Sequence, residues 1–586
     1  MSLFGDLYVG TSGLQTSQEA LNVVAHNVTN TDTEGYVRQQ VSQGTREYNR
    51  LSLNISGVSQ KQTGLGVYIE EVRQVRDRFI DESYREEIGR QGFYDAAYSG
   101  IEEIEEILGE MDGATFYEAM SDMWSSIEEL VKDPNSEVCQ SMFVQYAQSF
   151  AEAAANVYED LANYQDKLDV KVFNDVNKIN EIGHNIYKLN NQIRAIESGG
   201  MENANDLKDQ RNQMLDELGH LAKISYKDDA FGNVLVKIEG HDFVLMDKVN
   251  DMGCAIDEES GFYECFWPDS AKSFYNDSGK RTYIADTAPV FNFEVPVSST
   301  IDTDLGELKS AVLARGDHRG NWTDLLTEED YDKVKESVMM NVMAEFDGLV
   351  RNVVNSVNDV LARNSDAASG YLCDEQGNPL QMFVRVACDD TMRPETISEG
   401  EVSESGTGKY TKYFEGGCWH VRENASGKEL GIYKQNSAGT YISDSSGWFS
   451  VSNITVNQDL LQYPTHLGFV RPDGSVDYRT AKELETAFSD KNFILNPDLT
   501  NPISLVDYYS NLVAQIANSG NVYKSLKENQ ELTVEQVEST RQGAIGVSTD
   551  EELSNMIKFQ NAYNASSRFI NVIDECTEHL INTLGT

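Results

Sequence analysis

From Val138 to Ile196 apolar residues recur with a mean step of about 3.6, the period of a straight α-helix. Ser136 stands ahead of the run as a cap, and Gly199-Gly200 ends it. At about 1.5 Å per residue, one helix over 136–198 is a rod roughly 95 Å long, several times the ordinary globular helix. A chain built round such a rod is expected to be elongated. From Ile179 to Ile196 the step shortens to about 3.4, so that end is expected to pack in coiled-coil fashion against a following helix at 205–218.

The two ends carry heptad seams. Leu3, Leu7, Leu14, Leu21, Val24 and Val28 fall mostly 3, 4 or 7 apart, in a helix expected to stop near Asn30. Met556, Tyr563, Ile570, Ile573, Leu580 and Leu584 repeat the pattern. Ser548 or Thr549 is the expected cap, and Asp550, Glu551 and Glu552 suit the positive end of that helix dipole. Such helices can bury their seams only against each other or against other chains. Leu7, Leu14, Leu21, Val24 and Val28 are therefore expected to form an assembly interface with Met556, Tyr563, Ile570, Ile573 and Leu580. One seam apiece recovers less than the entropy of ordering the backbone, so segments 1–30 and 550–584 are expected to be largely disordered alone and to fold on assembly.

Further helical blocks cover about 326–363 and 503–530, while 36–73, 223–300 and 366–499 show short alternating runs such as NVLVKIEG and YFEGGCWHVRE. The fold class expected is mainly α with β-rich inserted domains, in an elongated multidomain chain. Residues 1–35 and 545–586 form a terminal helical assembly domain. Residues 36–222, 301–365 and 500–544 form a helical core, with β-rich insertions at 223–300 and 366–499.

A net charge of −49 repels nucleic acid and anionic lipid, so neither is an expected partner. The charge is uneven: residues 1–78 hold seven basic and eight acidic side chains, residues 79–135 three and sixteen. Close packing between like chains costs least at that nearly neutral N-terminus. No stretch is apolar enough to span a membrane, and MSLFGDLYVGTSG has neither the basic nor the apolar region of a secretory signal. The seven cysteines, at 139, 254, 265, 373, 388, 418 and 576, form no CxxC and are read as thiols. The alternative is that Cys254 and Cys265 pair across a hairpin.

No catalytic constellation is present. HExxH and GxSxG are absent. The run Ser405–Tyr410 has a Gly-Lys without the rest of a P-loop. Cys418-Trp419-His420 reads as strand packing, Glu102-Glu103 and Glu105-Glu106 as a solvated helix face, and His26 as a helix-surface residue. Arg315-Gly316-Asp317 spells an adhesion tripeptide but follows a helix that a glycine would end. No catalytic residue, metal or cofactor is expected.

The run Ala25-His26-Asn27-Val28-Thr29-Asn30, followed by Thr33-Glu34-Gly35-Tyr36, resembles the shared N-terminal pattern of the bacterial flagellar axial proteins, with His26 in place of Asn and Thr29 in place of Ala. GVSTDEELSNMIKFQNAYNASSRFINVIDE is similar to their terminal helix. Asn205–Arg211 with Met214, Leu215 and Leu218, the helix Gly306–Leu313, and Asn496-Pro497-Asp498 before 503–516 resemble the hook-associated members. The resemblance implies a structural, non-enzymatic component between hook and filament, located outside the cell and exported without a cleaved signal peptide. It implies as partners the hook protein, a second hook–filament junction protein, copies of the chain itself and an export chaperone on the C-terminal helix. The alternatives are a hook or distal rod protein, or a secreted adhesin or enzyme borne on axial termini.

Overall fold

The structure, a computed structural model, describes residues 3–584 apart from 34, 47–48, 51–61, 110–115, 201, 230–231, 258–259, 276–280, 294, 367, 375–376, 378, 386–395, 399–401, 404–408, 416–417, 425–428, 436–439 and 444–448. Glu34, Cys388 and the 405–408 part of the Gly-Lys run thus lie outside the described residues.

Twelve helices are described: α1 Leu3–Thr29, α2 Arg78–Ile107, α3 Phe116–Lys132, α4 Glu137–Glu197, α5 Asn205–Leu221, α6 Glu307–Arg315, α7 Glu328–Val334, α8 Val338–Asn364, α9 Gln458–Gln462, α10 Tyr478–Ser489, α11 Leu505–Ile545 and α12 Thr549–Leu584. The fold is mainly α with β-rich insertions. Helix α4 is continuous over 61 residues, about 90 Å, with the Ser136 hydroxyl accepting from the Cys139 amide at its start.

The spine α4 passes through two cores. Its first half gives Phe143, Phe150 and Leu161 to a cluster shared with α3, α8, α10 and α11, where Phe346, Leu484, Tyr508 and Tyr509 are buried. Its second half gives Val172, Ile179 and Ile186 to a second cluster, with Leu215 and Leu218 of α5 and Leu308 of α6. Between the cores Gln165 donates to the carbonyls of Arg315 (2.7 Å) and His318 (2.9 Å), and Asp169 pairs with Arg315.

The strands are short. At the N-terminal end lie β1 Gln39–Thr45, β2 Asn49–Arg50, β3 Gln62–Thr63 and β4 Val67–Gln74. β1 pairs antiparallel with β4, and β2 with β3. The next group is β5 Ile224–Asp228, β6 Val234–Ile238, β7 His241–Val244, β8 Gly253–Ile256, β9 Tyr263–Phe266, β10 Lys272–Tyr275 and β11 Arg281–Ile284. It makes one three-stranded sheet and two hairpins. Val236, Phe243 and Trp267 enter the second core, so this insertion shares its interior with α4, α5 and α6.

The third group is β12 Phe383–Arg385, β13 Thr396–Ser398, β14 Val402–Ser403, β15 Tyr410–Glu415, β16 Cys418–Glu423, β17 Glu429–Gln435, β18 Thr440–Ser443 and β19 Ile454–Val456. β13 to β18 form a six-stranded sheet. The stretch 366–499, expected to be β-rich throughout, also contains α9 and α10. Its flanks, through Leu380, Phe383, Phe449, Leu484 and Phe488, belong to the first core. Apolar residues there recur at both strand and helix spacing, and the shared core decides which prevails.

Other differences are local. The block 326–363 is divided at 335–337, where Ser337 caps α8. Helix α11, expected to end near 530, runs to Ile545. Helix α2 had no sequence signal because Gly89, Gly92 and Gly100 punctuate it. A Cβ on Gly89 would meet the Gly219 carbonyl oxygen at 2.9 Å, and one on Gly92 the His220 carbonyl oxygen at 2.4 Å. These glycines admit the backbone of α5, and that contact outweighs their poor helix propensity.

Candidate assembly interface

Both termini converge on Asn27, which is 1% exposed near the end of α1. Its amide nitrogen donates to the Gln39 carbonyl (2.9 Å) and to Glu552 Oε2 (3.1 Å). Its amide oxygen accepts from the Gln39 amide (3.0 Å) and the Tyr36 hydroxyl (2.8 Å). One side chain thus ties α1 to β1, to the turn at Tyr36 and to α12. Arg38 adds ion pairs to Glu551 (2.7 Å) and Glu552 (2.9 Å), and its amide donates to the Ile545 carbonyl where α11 ends (2.9 Å). The Ser548 carbonyl accepts from the Glu552 amide (3.0 Å) as α12 begins.

The motif 205–211 anchors this junction to the core. The Asn205 side chain donates to the Val72 carbonyl on β4 (3.1 Å). Asp209 accepts from the Val37 amide (3.4 Å) and from Gln74 (2.7 Å), and burial pushes its carboxyl up to about 7. Arg211 donates to Asn190 of α4 (2.9 Å) and to the Gly232 carbonyl (2.7 Å). Asn205, Asp209 and Arg211 thus each satisfy backbone or amide groups of other elements.

Helices α1 and α12 pack antiparallel, with a close approach at small residues. The face of α1 toward α12 carries Gly10, Gly13, Ser17, Ala20, Val24 and Asn27, spaced 3 and 4 apart. A Cβ on Gly10 would lie 2.8 Å from Ile570 Cγ1, and one on Gly13 2.8 Å from Ser566 Oγ. Of the expected residues, Val24 is buried and Leu14, Leu21 and Val28 are half-buried, while Leu7 is exposed. On α12, Met556, Tyr563, Ile570 and Ile573 are half-buried and Leu580 is exposed. The leucines step by seven as positions 13, 20 and 27 do, but one position round the helix, so their stripe flanks the seam. Leu553, Ile557, Phe569, Val572 and Ile581 of α12 are also exposed.

A second fastening had no sequence signal. Arg541 of α11 donates to Asp81 of α2 (3.0 Å) and to Asp216 of α5 (2.7 Å), with its guanidinium 4.4 Å from the Tyr84 ring centre. Arg76 pairs with the other oxygen of Asp81 (2.8 Å) and Arg85 with the other oxygen of Asp216 (2.7 Å). Nothing in local spacing links residues 81, 216 and 541, and only the fold brings them together.

The remaining motifs fall into structural places. Arg315 is 3% exposed and is held by Asp169 and by the Tyr263 carbonyl (2.7 Å), so its guanidinium is not offered to an adhesion partner. Cys418, Trp419 and His420 follow one another along β16. Glu102, Glu105 and Glu106 are exposed on α2. His26 is exposed, with Nδ1 2.9 Å from the Tyr36 hydroxyl. Among the described residues no group of three or more His, Cys, Asp or Glu side chains could hold a metal ion, and no helix is long and apolar enough to cross a membrane.

Paired ends, a long helical spine and inserted sheets mark the chain as a structural protein, and the proteins it is similar to are flagellar. The family model described as flagellar hook-associated protein FlgK helical domain matches residues 101–285. Those of the flagella basal body rod protein and of the flagellar basal body rod FlgEFG protein C-terminal match 7–36 and 541–583. The chain is 26% identical to flagellar hook-associated protein 1 of Bacillus subtilis, over 100% of this chain and 99% of that one. It is 21% identical to flagellar hook-associated protein 1 of Salmonella typhimurium, over 97% and 98%. The solved structure of the flagellar hook junction protein FlgK from Burkholderia pseudomallei shares the fold, with a TM-score of 0.51 and 12% identity over 78% of this chain and 99% of that one. Along nearly its whole length the chain is thus similar to flagellar hook-associated protein 1.

Proposed function

We propose that this chain is a structural component of the bacterial flagellum that forms the junction between hook and filament and is required for filament assembly. The observation that carries this is the terminal pair itself. Rod-type family models fall on α1 and on α12, the hook-associated helical domain falls between them, and the ends meet at Asn27 and Glu552. The chain acts by geometry rather than chemistry, without catalysis or cofactor. Its partners are copies of itself, the hook protein, a second junction protein and, before export, a chaperone on the C-terminal helix. It works outside the cell and is exported without a cleaved signal peptide.

The half-exposed stripe Leu7, Leu14, Leu21 and Val28, with the exposed apolar residues of α12, is the surface that neighbouring subunits cover. Electron microscopy of cells lacking the gene tests the reading: hooks without filaments are expected, and normal filaments overturn it. In the same cells a Leu14→Asp, Leu21→Asp variant should be produced with a folded core and yet carry no filaments. Full filaments on that variant would remove the leucine stripe from the interface.

A further inference from the structure

Cys254 on β8 and Cys265 on β9 stand directly opposite each other in an antiparallel pair. The Asp257 amide donates to the Phe262 carbonyl (2.9 Å), so alternation along the ladder makes 254/265 a pair without mutual backbone hydrogen bonds. The backbone confirms this on the other side: the Cys265 carbonyl accepts from the Val290 amide (3.1 Å), away from β8. In such a pair the Cα atoms lie about 4.5 Å apart and the side chains approach closest. That separation falls within the roughly 4.4–6.8 Å that a disulfide spans.

We propose that Cys254 and Cys265 are a redox modification site, closing to a cross-strand disulfide by exchange with a small-molecule disulfide. The two thiols are free, and both pack against the second core. Cys265 also lines a cleft of about 530 Å³ between β9, α6 and the start of α8, and both cysteines are half-buried rather than sealed in the core. The Cys265 thiol donates a hydrogen bond to Cys254, which lowers the Cys254 pKa and raises that of Cys265. Cys254 is therefore the attacking thiolate. Its sulfur displaces one thiolate from the reagent and forms a mixed disulfide. Cys265 then loses its proton, attacks the Cys254 sulfur and releases the second thiol. Two protein thiols are oxidised and one reagent disulfide is reduced to two thiols. The link would clamp the hairpin where the Tyr263 amide donates to Asp169 of α4 (2.8 Å).

The test uses the full chain, incubated natively with oxidised glutathione or with dithiothreitol, quenched in acid, denatured, alkylated and digested without reduction. The glutathione sample is expected to yield a peptide joining Cys254 to Cys265, lighter by two hydrogens than its parts and absent after dithiothreitol. Neither cysteine should then be alkylated, while Cys139, Cys373 and Cys576 form no link to either. Alkylation of both, a separate glutathione on each, or pairing of either with another cysteine overturns the proposal.

Discussion

Gly13 of α1 lies so close to Ser566 of α12 that a methyl group there would come within 2.8 Å of the serine hydroxyl oxygen. One turn earlier, Gly10 stands in the same relation to Ile570. The terminal pair is thus set by what α1 lacks. The absence of side chains lets α12 approach, and the larger apolar residues are displaced to the flanks.

Replacing both glycines with valine should therefore force α12 away from α1. Overpacking of this kind costs about 1–3 kcal/mol per site. The expected result is a chain whose main unfolding transition is unchanged, because neither cluster built on α4 includes these positions. Filament attachment should be lost. Wild-type motility in the double variant would show that the close approach is dispensable.

Arg541 supplies the second prediction. Its two donors reach Asp81 and Asp216, each of which keeps one other arginine. Arg541→Ala should cost about 3 kcal/mol, the scale of a broken buried ion pair. Arg541→Lys should recover little, because a single ammonium lacks the planar fork that spans both carboxylates. Urea unfolding of the two variants checks this, and full stability of the lysine variant would count against the bridging geometry.

The buried carboxylates set a pH dependence. Burial pushes Glu345 up to about 7 and Asp347 up to about 6, as it does Asp209. Between their unfolded values near 4 and these folded values, the native state binds more protons than the unfolded one. Stability therefore falls as pH rises through that window and levels off above it. Glu307 works the other way. Hydrogen bonds from His220 and Lys171 hold it at about 2, so the stability it lends is lost as pH falls from about 4.5 toward 2. Unfolding midpoints should thus be higher at pH 5 than at pH 8. Glu345→Gln should reduce the difference by roughly 3 kcal/mol, the worth of that one shift. An unaltered pH slope in the variant would exclude Glu345 as its source.

What the sequence made legible was whatever repeats along one element. The period of α4 reads directly, because one face stays buried through both cores. The polar motif at 205–211 stood out, but its partners Val37, Gln74, Asn190 and Gly232 are distant in sequence and could not be named. Seam residues were harder. A search for large apolar side chains finds Leu7, Leu14 and Leu21, whereas the close contact is made by Gly10 and Gly13, whose contribution is the absence of volume. Helix α2 was missed for the same reason, with Gly89 and Gly92 acting as contact surfaces for α5 rather than as breaks. Arg541 belongs to a third kind, a charge whose partners lie on two other helices and leave no periodic trace.

The last prediction concerns the order in which the chain opens. Among the residues of α1 with described burial, the buried ones are Gly10, Ser12, Thr16, Ser17, Ala20, Val24 and Asn27, and on α12 Glu552 alone is buried. Val24 is the only large apolar side chain in that set, and burying one valine is worth about 1.5–3 kcal/mol. The core end of α11, by contrast, buries Leu505, Tyr508, Tyr509, Leu512 and Ile516. Helices held chiefly by a small-residue seam and a few polar ties open at a lower free energy than helices held by a core. In the free monomer, amides of 3–29 and 549–584 should therefore exchange far faster than those of α4 and of 505–520. In the assembled flagellum, neighbouring subunits cover the leucine stripe and the exposed face of α12, and the same amides should become protected as folding and binding are coupled. Hydrogen exchange on both forms decides it. Protection of α12 in the monomer equal to that of α4 would show that the terminal pair is already as stable as the core and owes nothing to assembly.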